Sequence, residues 1–121
     1  MKIALLDLNH TTLGIHTNTA PLGLGLISRY VKNVIEEDVE IKMFKVAAKA
    51  MDIFKSWTPD IVGMAQYCWN SELNLFITMR LKKANPDCLV VAGGPNLELS
   101  PFRRKVFLKE RDCIDICVEF D

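Results

Sequence analysis

Two phrases built alike, Pro59-Asp60-Ile61-Val62-Gly63-Met64 and Pro86-Asp87-Cys88-Leu89-Val90-Val91-Ala92-Gly93-Gly94-Pro95, stand about one β-α unit apart and restrict the chain to a parallel α/β architecture. Each phrase begins by stopping a helix, because proline has no backbone N–H and pushes the residue before it, Thr58 or Asn85, out of helical angles. Each then runs directly into an apolar stretch. Leu89-Val90-Val91-Ala92 lacks polar alternation, the pattern of a strand covered by helices on both faces. The paired glycines Gly93 and Gly94, followed by Pro95, fall where that strand ends. In open α/β sheets the carboxyl ends of the strands are where ligands lie, so bare backbone there is a candidate contact surface.

The rest of the chain repeats the same alternation. Ile3 to Leu8 reads as a first, central strand, and Asn9 to Ala20 as a loop longer than the usual ~2–6 residues of an α/β connection. Pro21 pre-sets a first helical turn, after which Leu22, Leu26, Ile27, Tyr30, Val31 and Val34 recur at helical spacing. Val39 to Phe44 alternates as a half-exposed second strand, and Val46, Ala47, Ala50, Met51, Phe54 and Trp57 form the inward stripe of a second helix. Ile61 to Ala65 is a third strand. Asn70 or Ser71 then caps a third helix that has Glu72 in its first turn and Lys82 and Lys83 in its last. After the strand Leu89 to Ala92, a fourth helix runs from about Pro101 to Glu110 with Phe102, Val106 and Phe107 as expected core contacts, and Cys113 to Val118 is a fifth strand. This order predicts a Rossmann-like, flavodoxin-like, doubly wound five-stranded parallel sheet with strand order 2-1-3-4-5, right-handed crossovers and three α/β/α layers. Residues 1–121 suit one domain, either naturally short or cut at a domain border.

Composition narrows the partners. Fifteen lysines and arginines balance fifteen aspartates and glutamates, so no overall field gathers nucleic acid or an anionic membrane. No apolar run approaches the ~20 residues of a spanning helix, and Met1-Lys2-Ile3-Ala4 enters a strand rather than a signal peptide, which points to a soluble cytoplasmic protein. Cys68, Cys88, Cys113 and Cys117 form no CxxC pair and are expected as buried, reduced thiols. On one strand Cys113 and Cys117 would share a face but stand about 13 Å apart, too far for one metal.

Taken together, Pro21-Leu22-Gly23-Leu24-Gly25-Leu26, Pro59-Asp60-Ile61-Val62-Gly63 and Leu89-Val90-Val91-Ala92-Gly93-Gly94-Pro95 resemble the N-terminal cobalamin (B12)-binding domain of B12-dependent radical SAM enzymes. Cys113-Ile114-Asp115-Ile116-Cys117-Val118-Glu119 is similar to the strand that leads to that domain's end. The resemblance covers nearly the whole chain. It implies a cobalamin-holding, metal-binding module with a radical SAM catalytic barrel in cis; S-adenosylmethionine and the [4Fe-4S] cluster belong to that barrel, whose CxxxCxxC motif this chain does not contain. Such a module would not carry out the chemistry by itself. Where methionine synthase-type domains read DxHxxG, this chain reads Asp7-Leu8-Asn9-His10-Thr11-Thr12-Leu13-Gly14, so His10 is a weak candidate cobalt ligand and His16 an ordinary loop residue.

The predicted topology gathers Thr11, Thr12, Gln66, Tyr67, Cys68, Trp69 and Asn70 at one sheet edge, offering flat apolar surface and scattered hydrogen-bonding groups. Leu22, Gly23, Gly93, Gly94, Pro95 and Glu119 complete the expected cofactor contacts. Gly23 and Gly25 lie too far behind the first strand to be a dinucleotide fingerprint. A receiver-domain acidic pocket is excluded because Met64, Ala65 and Val118-Glu119 stand where its aspartate and lysine would be. Two other readings stay open: a cofactor-free docking or substrate-recognition domain, motivated by the missing DxHxxG, and a flavodoxin-like FMN carrier, motivated by topology and the Tyr67 and Trp69 pair.

Overall fold

The computed structural model describes residues 1–11, 20–97 and 100–118. Five parallel strands, β1 (Lys2–Leu6), β2 (Glu40–Phe44), β3 (Ile61–Ala65), β4 (Leu89–Gly93) and β5 (Ile116–Cys117), form one sheet in the order β2-β1-β3-β4-β5. Four helices connect them: α1 (Leu22–Val34), α2 (Ala47–Phe54), α3 (Ser71–Ala84) and α4 (Pro101–Glu110). The doubly wound sheet expected from the strand and breaker pattern is therefore present, with registers such as Ile3 opposite both Ile41 and Ile61, and Gly63 opposite Val91.

Right-handed crossovers send α1, which leads back to β2, to one face, and α2, α3 and α4, which lead forward, to the other. The larger apolar cluster lies on the forward face. Ala4, Leu6, Val62, Met64, Val90 and Ala92 from the sheet meet Ala50, Ile77 and Leu81 from the helices, with Trp57, Cys113 and Ile114 closing the lower edge. On the α1 face a smaller cluster joins Ile3, Leu5 and Leu24, with Val31, Val39, Ile41 and Ile61 at its margin. Trp57, one turn beyond α2, donates its indole N–H to the Glu40 carboxylate at 2.8 Å; that bond, with Lys42 beside it, holds the Glu40 carboxyl below the ordinary glutamate range.

Several local expectations are corrected. The apolar residues of α1 do not all turn inward: only Leu24 is buried, while Leu22, Leu26, Ile27, Tyr30 and Val34 are exposed. Leu24, with Val31 at its margin, is the stripe that joins Ile3, Leu5, Ile41, Ile61 and Ala65 of the sheet in one cluster. In α4, Phe102 is 75% exposed and Val106 is also exposed; Phe107 and Leu108 make the inward contacts, because β5 beneath them is only two residues long. Cys113 and Ile114 belong to the turn before β5, with the Ile114 amide donating to the Arg111 carbonyl, and pairing with β4 starts where the Asp115 amide meets the Val90 carbonyl. Nor are all the thiols buried: Cys68 is exposed and Cys117 half-buried. Finally, β4 is sealed on one face only. Val90 and Ala92 are buried, whereas Leu89, Val91 and Gly93 are half-buried, because no described element lies over them.

Candidate functional site

With β1 flanked by β2 and β3, the chain leaves β1 toward one face of the sheet and β3 toward the other, and this divergence opens the crevice in which doubly wound sheets hold ligands. The loops after β1, β3 and β4 meet there. Between β3 and β4 the link is tight: the Gln66 amide donates to the Gly93 carbonyl at 2.6 Å, and the Asn96 amide donates to the Gln66 carbonyl at 3.1 Å. Gly94 makes this approach possible. Its φ is +126°, and a Cβ there would stand 2.7 Å from both the nitrogen and the oxygen of Gln66. Glycine is required at position 94 by the neighbouring loop, and the face it leaves bare is occupied by the chain itself. A Cβ on Gly93 would meet the Val118 side chain at an ordinary 3.7 Å.

Beneath the loop lies a buried polar network. The Gln66 side chain donates to the Ser71 hydroxyl at 2.8 Å and accepts from the Asn74 amide at 2.7 Å. Asn70 accepts the Tyr67 backbone N–H at 2.9 Å and donates to the Ala65 carbonyl at 3.0 Å. The Asn74 amide nitrogen also points at the Ala65 carbonyl and the Asn70 Oδ1, at 3.1 and 3.2 Å, which leaves the buried Asn74 Oδ1 without a hydrogen-bond partner. Farther down the helix the Thr78 hydroxyl bonds the Asn74 carbonyl and lies 3.4 Å from the Cys113 sulfur. Asn70, Asn74 and Thr78 recur every four residues along α3, one polar line inside an apolar interface. That spacing was present in the sequence, yet Asn74 and Thr78 were not among the expected site residues, since Leu73, Ile77 and Leu81 alongside them satisfy the helical pattern unaided.

Above the network the loop displays an aromatic surface. The Tyr67 and Trp69 rings stack with centroids 4.4 Å apart and planes 7° from parallel, and Trp69 remains half exposed. His10, from the loop after β1, bonds the Trp69 carbonyl through Nε2 at 2.7 Å and so ties the two loops together.

The structure thus brings Gln66, Tyr67, Asn70, Gly93 and Gly94 together with Trp69 and His10. Thr11, Cys68 and Pro95 are exposed nearby in the chain but enter none of these contacts. Leu22 and Gly23 open α1 as surface residues, with free space where a Gly23 Cβ would be. Thr12, His16 and Glu119 lie outside the described residues.

The edge is rich in amides, and among the described residues no group of three His, Cys, Asp or Glu side chains is placed to hold a metal ion. A shallow depression of about 280 Å³, lined by Met79, Lys82, Lys83, Asp112 and Cys113, lies at the opposite end of the sheet, below the last turn of α3 and away from this edge. Burial raises the Cys88 thiol to about 11 and pushes Cys117 upward, so neither is a nucleophile at neutral pH. Neither a protein-family model nor a curated protein matches the chain, and among the described residues no helix is long and apolar enough to cross a membrane.

Proposed function

We propose that this domain is a cofactor-holding module that binds a cobalamin at the carboxyl edge of its sheet, as the N-terminal part of a B12-dependent radical SAM enzyme whose catalytic barrel would hold S-adenosylmethionine and the [4Fe-4S] cluster. The observation that carries the reading is the Tyr67–Trp69 stack beside the β1/β3 divergence: a flat, half-exposed aromatic surface over a rigid amide network. A corrin is a large, mostly apolar ring with amide arms, and stacked aromatic area with polar groups around it is the surface that suits such a ligand.

The residues fit the ring better than they fit its metal. His10 already uses Nε2 on the Trp69 carbonyl, so ligating cobalt through that atom would break the tie between the two loops. On this reading the chain would grip the macrocycle through the Trp69 and Tyr67 surface, and His10 is engaged elsewhere. When bound, the corrinoid supplies cobalt-centred group transfer. The protein's share is to orient the ring and shelter one face of it. The engaged histidine equally favours a second reading, a cofactor-free docking domain.

Titration with hydroxocobalamin separates the two. Binding is expected to shift the visible spectrum, to co-elute with protein and to quench Trp69, while the buried Trp57 serves as an internal reference. Trp69→Ala keeps the backbone carbonyl that His10 uses and should weaken binding roughly ten-fold or more, the scale of one lost stacking partner. No spectral change and no co-elution at micromolar protein overturns the cobalamin reading in favour of docking, and retention of FMN instead would identify a flavodoxin-like carrier.

A further inference from the structure

The face that carries α1 is covered over only part of the sheet, and α1 itself is apolar well beyond the stripe that the sheet uses. Counting ~100° per residue, Leu24, Ser28 and Val31 face the sheet beneath. One flank then carries Arg29 and Lys32. The other flank carries Ile27, Val34 and Tyr30, and the side opposite the sheet carries Leu26 and Leu22, broken by Asn33. These five apolar residues are 51–74% exposed.

Because α1 descends antiparallel to the strands on the face fixed by a right-handed crossover, its apolar flank points toward β3, β4 and β5. There the sheet offers a trough. Gly93 forms a low floor, Leu89 and Val91 are half-buried, and Ile116 and Val118 are 43% and 52% exposed, while toward β1 the Leu5 side chain stands over Gly63 and Ala65 packs with the Leu24 cluster. No described element covers it.

We propose that this face is the interface of a homodimer in which each α1 lies in the trough of a second copy of the chain. A two-fold axis parallel to the strands places two α1 helices side by side as one shared layer between two sheets. Each helix then needs three apolar sides: Leu24 and Val31 toward its own sheet, Ile27, Tyr30 and Val34 toward the partner's α1, and Leu22 and Leu26 toward the partner's β3–β5 face. Only the outer flank, with Arg29 and Lys32, stays wet. That is the pattern observed, apart from Asn33, which stands between Leu22 and Leu26 on the side toward the partner's sheet.

A single helix laid beside α1 would cover the flank but leave Leu22 and Leu26 in water, so a second sheet accounts for residues that one helix does not. The surface is self-complementary, ridge and trough on one chain, as an isologous contact requires. The area is adequate as well. At on the order of 100 Å² per exposed side chain, the five residues of α1 with Ile116 and Val118 offer roughly 700 Å², close to the ~800 Å² per partner of a standard interface.

Sedimentation velocity and light scattering of residues 1–121 at roughly 100 µM test this directly. The expected mass is twice the 13.7 kDa of one chain. Leu26→Asp and, independently, Tyr30→Lys should weaken the dimer about 100-fold, since symmetry removes two contacts at once, while far-UV circular dichroism stays unchanged because both residues are exposed in the protomer. Val34→Cys in a Cys68→Ser background should form a covalent dimer on oxidation, since position 34 faces its own copy across the axis. A monomer at this concentration overturns the proposal, as does a dimer that survives Leu26→Asp, Tyr30→Lys and Ile116→Lys, or one that Val34→Cys does not cross-link. A monomer that binds an added amphipathic helix here would give the face to a different partner.

Discussion

Replacing Asn74 with aspartate strikes the network that fixes the β3–α3 loop, and the structure gives the size of the effect. The Asn74 amide nitrogen faces three acceptors: the Ala65 carbonyl at 3.1 Å, the Gln66 Oε1 at 2.7 Å and the Asn70 Oδ1 at 3.2 Å. Three oxygens around one nitrogen also settle which way the amide points. Aspartate puts an oxygen in that place. Ala65 and Asn70 each keep another partner, but Gln66 Oε1 loses its only donor, at roughly 1–3 kcal/mol for a buried unsatisfied group. The carboxylate itself is buried with no cation, so its pKa rises above the ~3.9 of the unfolded chain.

The sign follows directly. Below pH ~3.9 both states are protonated; above it the unfolded state ionises first, and stability falls by roughly 1.4 kcal/mol per pH unit until the folded group titrates. We expect Asn74→Asp to lose about 2 kcal/mol at pH 5 and about 4 kcal/mol or more at pH 8, a large share of the ~5–15 kcal/mol of a typical domain. Asn74→Leu should cost about 1–2 kcal/mol at both pH values, since it removes the unpaired oxygen together with the donor. Urea titrations of the three proteins at pH 5 and pH 8 give the comparison. If Asn74→Asp matches the wild type within about 1 kcal/mol at pH 8, or shows no added pH slope, the amide does not sit among three acceptors and the network is wrongly drawn.

Two further expectations follow from the same geometry. Gly94→Ala combines a positive φ with a Cβ 2.7 Å from the Gln66 peptide, so a loss of about 2–4 kcal/mol in thermal or urea unfolding is expected; a loss under about 1 kcal/mol would mean the β3 and β4 loops part easily. The thiols should react with an aromatic disulfide in the order Cys68, then Cys117, then Cys88 and Cys113, the last two at the rate of unfolding. With Cys88 raised to about 11, the unfolded chain ionises before the folded one as pH rises past ~9, and stability should decline by roughly 1–2 kcal/mol through that window, allowing for screening. A Cys88→Ala variant with an undiminished alkaline decline would assign it to another group.

Much of the fold was legible because the signals that set it are local. Pro59 and Pro86 stop helices, apolar runs follow them, and alternation of such units leaves a doubly wound parallel sheet as the compact solution. What was not legible was which apolar residue meets what. Periodicity reports that Leu22, Leu26, Ile27, Tyr30 and Val34 share a broad side of α1; it does not report that the sheet beneath is wide enough for Leu24 and Val31 alone. The same holds for Phe102, whose spacing suits a core but whose helix covers a two-residue strand. Cys68 looked like a core thiol by residue type and proved to be a loop-tip residue by place.

At the proposed site, the structure shows what several of the expected residues already hold within the chain. Gly94, Gln66 and Asn70 were expected to touch a ligand, yet their exceptional features are spent inside the chain: the positive φ on the approach to Gln66, the glutamine on Ser71 and Asn74, the asparagine on Tyr67 and Ala65. Whether an amide in such a loop turns to a neighbour three to eight residues away or to a ligand cannot be read from residue type. The division has a consequence that the variants resolve. Residues enclosed in the chain's own contacts should govern stability, and residues that still show a face to solvent should govern binding. Gly94→Ala and Asn74→Asp therefore belong to the unfolding curve and Trp69→Ala to the ligand titration, with little exchange between the two. Should Trp69→Ala destabilise the chain as much as Gly94→Ala does, the aromatic stack is scaffold rather than platform, and the docking reading gains over cobalamin.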